Sequence, residues 1–260
     1  MAASILLCQA AGGFFLAISE FTRKEMVELW HLPPEKIHIV PCTCSPALAR
    51  ETTWERLEEL RKKYGLPERF ILFVGNSNPR KNLMRLLKAF DGLKERGRIP
   101  HQLVVAGEQG WKFDRENALR RLKHREAVRF VGFVPDGDMP ALYSAASLFA
   151  FPTLYEGFGI PVLEAQSCGV PVLASDCSAL PEVGGKGALY VNPYDESSIA
   201  EGMWKLLTNR ELAAELTQAG YENVKRFSWE RSSERLSEII EKEAGHGLDE
   251  AIPPVDGEDL

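Results

Sequence analysis

From residue 70 onward, short uninterrupted apolar runs alternate with amphipathic helical patterns, and that alternation leaves few folds open. Phe70-Ile71-Leu72-Phe73-Val74-Gly75 is apolar at consecutive positions, as expected of a strand covered on both faces. Residues 102–107, 128–131, 148–151, 172–174 and 188–191 also read as strands. Between them lie helical patterns. The clearest spans 83–96, with apolar positions at Leu83, Leu86, Leu87, Phe90 and Leu93. Others cover 115–123, 139–146, 199–207, 210–227 and about 230–243. Strands alternating with helices predict an α/β fold built on a doubly wound parallel sheet. Such sheets bind ligands beyond the carboxyl ends of their strands. The loops after Val74, Ala106, Val131, Phe151 and Ala174 are therefore where chemistry is expected.

The first 69 residues are organised differently. An apolar run from Ser4 to Ile18 lacks the basic flank of a signal peptide and falls short of the roughly 20 residues of a membrane span. It reads as a core helix or strand. Ser19 is a plausible cap for a helix reaching Trp30, which Pro33-Pro34 ends. Residues 36–40 suggest a short strand, 42–53 an irregular linker, and Trp54 to Tyr64 a charged helix closed by Gly65. Residues 244–260 carry Gly, Pro and acidic residues with little apolar content and are expected to be disordered.

Net charge is −6 without a sustained basic stripe, which argues against nucleic acid as a partner. The five cysteines (Cys8, Cys42, Cys44, Cys168, Cys177) form no CxxC pair, and reduced cytosolic thiols are the simplest reading. None of the five His stands out as catalytic. His101 and His124 are assigned to surface loops or helix ends, and Trp54, Trp111, Trp204 and Trp229 to packing.

The segment richest in chemistry is Glu156-Gly157-Phe158-Gly159-Ile160-Pro161-Val162-Leu163-Glu164. Two carboxylates sit eight positions apart around a Gly-Phe-Gly bend that joins a strand to a helix. Such a bend offers backbone N–H groups at the positive end of a helix dipole, suited to a phosphate or a sugar hydroxyl. The carboxylates accept from hydroxyls, so the whole suits a nucleotide-sugar. Glycines can simply end a helix and two Glu can simply decorate a surface. Glu164, however, stands among Val162, Leu163, Ala165 and Cys168, where a solvated face is not expected.

Four pieces of sequence, in order, resemble the carboxyl-terminal half of retaining GT-B glycosyltransferases of family 4, the glycosyl transferases group 1. They are Phe73 to Leu83 with its Pro79-Arg80-Lys81-Asn82, Val128 to Val134, Pro152 to Ala165 with the Glu-x7-Glu signature, and Gly169 to Ser175 with Leu180-Pro181-Glu182-Val183. The resemblance covers about Ile18 to Glu241. It implies a Rossmann-like domain over 70–227 that binds a sugar nucleotide. Glu156 would hold the transferring sugar. Backbone N–H groups of Gly157, Phe158 and Gly159, at the start of the helix opened by Ile160, would face sugar and diphosphate. Glu164 would hold the ribose hydroxyls. Lys81, supported by Arg80 and Asn76, would meet the diphosphate, and Phe133 and Val134 would line the base pocket.

The implied activity is metal-independent, retaining transfer of a hexose, mannose among the choices, from a nucleotide-diphosphate sugar to a glycan or lipid-linked acceptor. GDP-mannose and UDP-sugars both stay open as donors. No cofactor is implied. The setting would be cytoplasmic, the inner membrane face included, with polysaccharide assembly as the context. Residues 1–41 would be the remnant of an amino-terminal acceptor domain, 42–69 the crossover, and 228–243 the helix crossing back. The absent part of the first domain would carry any peripheral membrane association.

Two departures stand out. Asn76 occupies a position where many members carry Arg, and Cys42-Thr43-Cys44 replaces a usual Asn-Gly turn. Because only about 40 residues precede the crossover, an alternative reading is a catalytically incomplete module that binds nucleotide-sugar and needs a separate acceptor domain. A GT-B epimerase or phosphorylase is a third.

Overall fold

The computed structural model describes residues 13–97, 99–110 and 113–249. The strands are β1 Phe15–Ala17, β2 Ile37–Ile39, β3 Phe70–Val74, β4 Gln102–Ala106, β5 Val128–Gly132, β6 Leu148–Phe151, β7 Val172–Ser175 and β8 Leu189–Val191. The helices are α1 Glu20–Trp30, α2 Trp54–Tyr64, α3 Leu83–Glu95, α4 Arg115–Arg120, α5 Met139–Ala145, α6 Ile160–Ser167, α7 Leu180–Gly184, α8 Glu196–Thr208, α9 Arg210–Val224 and α10 Trp229–Asp249. Six strands form one parallel sheet in the order β5-β4-β3-β6-β7-β8, and β1 and β2 form a separate parallel pair. This is the doubly wound α/β arrangement that the alternation predicts.

The uninterrupted apolar runs become central strands because helices cover both faces. Phe70, Phe73, Phe149 and Phe151 are fully buried. Each such ring contributes roughly 1.5–3 kcal/mol through lost water contact. Phe149 stacks on Phe151 at 5.4 Å between ring centroids, and Tyr143 meets Phe149 edge-on at 5.3 Å. Strand order turns outward in both directions from the β3–β6 pair: β4 follows β3 on one side and β7 follows β6 on the other. The carboxyl ends of β3 and β6 therefore flank the point where a doubly wound sheet opens a crevice.

A buried carboxylate ties the linker helix to the sheet domain. Asp138, just before α5, accepts from Arg56, from Lys63 at 2.7 Å and from the Tyr64 hydroxyl at 2.6 Å, all on α2. The Lys63 and Tyr64 bonds hold its carboxyl below the ordinary range, with the neighbouring positive charges adding to the effect. A lowered carboxyl stabilises the fold above its unfolded pKa, about 3.9, and that contribution fades as pH falls through the folded value. Asp138→Asn is accordingly expected to lower the melting temperature at pH 7. The gap to the wild type should shrink in a melting series taken below pH 4; a gap that stays constant with pH would count against the charge argument.

Several details differ from the sequence reading. The last helix, expected to stop at Glu243, continues to Asp249. Ala244 favours helix, Gly245 and Gly247 cost about 1 kcal/mol each without forbidding it, and the nearest proline lies further on at Pro253. Residues 250–260 of the expected disordered tail lie outside the described residues, as do Trp111 and residues 4–12 of the first apolar run. Helix α4 ends at Arg120 and α9 at Val224, three residues short of expectation in each case. The five-residue helix α7 was not anticipated. Trp54 and Trp229 stand 64% and 50% exposed and Trp204 is partly exposed, so these indoles are not core packing. His101 is buried rather than on a surface loop, and burial pushes its imidazole pKa down. The four cysteines among the described residues are free thiols. No helix among the described residues is long and apolar enough to cross a membrane.

Candidate active site

The crevice between β3 and β6 brings the two expected catalytic groups together. Lys81 ends a single 3-10 turn, Pro79–Lys81, in the β3–α3 connection. Its ammonium lies 2.9 Å from Glu156 Oε1 and 4.8 Å from the centre of the Phe151 ring. Both side chains are largely shielded, 12% exposed for Lys81 and 9% for Glu156. Lys81 is placed by its neighbour. Asn82 adopts a left-handed backbone, φ 58°, a conformation asparagine tolerates. Its buried amide donates to the carbonyls of Pro152 at 2.8 Å, just after β6, and Pro193 at 2.7 Å, in the β8–α8 connection.

Glu156 is fixed by its backbone. Its N–H donates to Ser178 Oγ at 3.2 Å, and its carbonyl accepts from the Ala179 N–H at 3.3 Å. Past it the chain turns through Gly159, φ 105°, where a Cβ would stand 2.4 Å from Leu180 Cδ2. Only glycine fits there. Phe158 does not offer its ring to a ligand: it is buried edge-on against Phe227 at 5.6 Å, beside Leu163 and Val183. What remains for a ligand is the backbone. The N–H groups of Gly157, Phe158 and Gly159 donate to no carbonyl among the described residues. Ile160, at the first turn of α6, is partly exposed.

Glu164, one turn further into α6, lines a cavity of about 430 Å³ at the carboxyl ends of β3, β4 and β5. Asn76, Phe133 and Val134 line the same cavity, so with Glu164 four of the expected donor-binding side chains share it, and Gly75 forms part of its wall. Phe133 stands 65% exposed at its edge, whereas Val134 is buried in the wall. Lys81 stands beside this cavity, since a Cβ added to Gly75 in its lining would lie 3.6 Å from Lys81 Cε. Gly107 keeps the floor narrow: its own Cβ would stand 2.3 Å from the Gly75 carbonyl oxygen. Burial raises the Glu164 carboxyl above its usual range, partly countered by the Tyr143 hydroxyl, which donates to it at 2.8 Å. The Tyr143 hydroxyl is itself pushed well up by burial and by that carboxylate.

Arg80 is less committed. It is exposed, and its backbone carbonyl accepts from the Leu154 N–H at 2.8 Å. Sequence reasoning missed Tyr143, which lay unremarked within the short helix 139–146, and missed Glu108 and Asp136, which line the cavity as well. No cluster of three or more metal-binding side chains occurs among the described residues.

A family described as glycosyl transferases group 1 matches residues 57–223, the span that holds Lys81, Phe133, Glu156 and Glu164. The chain belongs to that family. Among curated relatives of this glycosyltransferase chain, O-antigen chain mannosyltransferase B of Escherichia coli is 37% identical over 216 residues, covering 83% of this chain and 57% of the relative. Serotype-specific mannosyltransferase WbdA of Escherichia coli is 33% identical, covering 82% of this chain and 27% of the relative. The chain thus spans about half the length, or less, of these relatives. The solved structure of HepE from Anabaena with UDP-glucose superposes with a TM-score of 0.78 at 19% identity, covering 88% of this chain and 64% of that one. It supports the GT-B fold.

Proposed function

We propose that this chain is the donor-binding half of a retaining glycosyltransferase that moves a hexose, mannose in the first instance, from a nucleotide-diphosphate sugar to a glycan acceptor without a metal. One observation carries the reading: Lys81 and Glu156 meet across the β3–β6 crevice beside the cavity that Glu164 lines. When the anomeric C–O bond breaks, negative charge grows on the departing diphosphate. Lys81 has three N–H donors and can keep Glu156 while donating to that oxygen. A fixed cation in a shielded site stabilises the charge without reorganisation. Attack from the same face retains configuration, and the leaving diphosphate takes the proton of the acceptor hydroxyl. Glu156 accepts from sugar hydroxyls and balances Lys81. The names of the Escherichia coli relatives support mannose.

The base follows from the same cavity. Glu108 and Asp136 line it and make no ion pair among the described residues. A guanine presents two adjacent N–H donors to a carboxylate, whereas uracil flanks its single N–H with two carbonyls. A guanine nucleotide is the better complement. Thermal melts against a panel of sugar nucleotides test this. GDP-mannose at 100 times its Kd should add about 2.7 kcal/mol of stability, and UDP-glucose should add less. A chain that no sugar nucleotide stabilises would refute the function; a larger shift with UDP-glucose would refute only the base.

A further inference from the structure

The carbonyl of Gly157 is held by residues more than 130 positions earlier in the chain. Ser19 Oγ donates to it at 2.6 Å and Thr22 Oγ1 at 3.0 Å. Ser19 is almost wholly buried and caps α1 by accepting from the Thr22 N–H at 3.0 Å. The start of α1 is held in turn by Glu182 of α7, whose carboxylate accepts from the N–H groups of Glu20 at 2.9 Å and Phe21 at 3.2 Å. α7 closes the ring, because the Ala179 N–H just before it bonds to the Glu156 carbonyl. Helix α1, the Glu-Gly-Phe-Gly bend and α7 are therefore linked through one circuit of hydrogen bonds.

We infer that Ser19 and Thr22 are positioning residues for the donor, which set the Gly157–Phe158 peptide so that its N–H faces the sugar diphosphate. The inference rests on the nucleotide-sugar reading of the site. A trans peptide is planar, with its carbonyl and its N–H on opposite edges. Drawing the Gly157 carbonyl toward α1 turns the Phe158 N–H away from α1. That N–H bonds to no carbonyl among the described residues. The Phe158 ring, buried against Phe227, removes the remaining freedom of the plane to rotate. Two hydroxyls on one carbonyl also polarise the amide and strengthen its N–H as a donor. Sequence reading took Ser19 only as a helix cap, because nothing local connects it to a glycine so far along the chain.

The test is the double variant S19A/T22V, titrated by calorimetry with GMP, GDP and GDP-mannose, and with UMP, UDP and UDP-glucose alongside. If the hydroxyls aim an N–H at the diphosphate, affinity for the diphosphate and the sugar nucleotide falls tenfold or more, while the monophosphate stays within twofold. Thr22→Ser should then bind like the wild type. Equal losses across all three members of a series, or no loss in a folded variant, would overturn the inference. Should the double variant fail to fold, Thr22→Val against Thr22→Ser supplies the same ratio. A wild-type chain that binds none of the six compounds overturns both this inference and the proposed function, whereas normal wild-type binding with uniform loss overturns the positioning role alone.

Discussion

Lys81→Ala in the complete transferase is expected to lower the turnover of sugar transfer by about 100- to 1000-fold, the range found when a preorganised group facing transition-state charge is removed. The Michaelis constant for the donor should change far less. The structure adds a complication, because Lys81 is the ion-pair partner of a shielded Glu156. Removing it leaves a buried charge alone, a loss that in comparable pairs reaches about 3–5 kcal/mol. The single variant is therefore expected to lose stability as well as turnover. The double variant K81A/E156Q separates the two effects. It should recover most of the melting temperature, since the stranded carboxylate is gone, yet leave transfer as slow as before or slower. Recovery of transfer along with stability would mean that the lysine only balances Glu156 and takes no part in the chemistry.

Glu164→Ala should weaken nucleotide binding by about 1–3 kcal/mol, the usual cost of losing a hydrogen bond to a charged group. That is about 5- to 150-fold in Kd. Here too the neighbour matters. Tyr143 is fully buried and would lose the acceptor of its hydroxyl. Glu164→Gln retains an acceptor for Tyr143 and is the cleaner comparison. Measuring GDP against 2′-deoxy-GDP isolates the ribose contact: the wild type should discriminate between them, and Glu164→Ala should not. Equal affinity of the wild type for both would remove Glu164 from the 2′-hydroxyl.

Much of the fold could be read in advance because its signals are local. Phe70–Val74 and Leu148–Phe151 are apolar at every position, as a strand covered on two faces requires; the second appears with the expected bounds and the first ends one residue before the expected Gly75. Trp54–Tyr64 also matches, since Gly65 in a left-handed conformation ends the helix abruptly. The misses are places where tertiary contact decides. Helix α7 is too short to show a period. The Phe158 backbone stays in the expected ligand loop, whereas its ring, for which no place was foreseen, joins a small cluster with residues from α6, α7 and the end of α9. Within the candidate site, Glu156 and Glu164 were legible from residue type and spacing, and Lys81 from the family resemblance. Tyr143 was not, because its role depends on which face of α5 meets α6.

Asn82 has an effect that reaches beyond its own position. One amide grips carbonyls at the ends of two separate crossovers, following β6 and preceding α8. The height of the adjacent ammonium thus depends on how far apart those two ends stand. Any load that splays the sheet there, applied for instance through α8, would lift the cation from its carboxylate and weaken the local field. Mechanical deformation at the rim of the domain is in this way geared to the electrostatic strength of its centre.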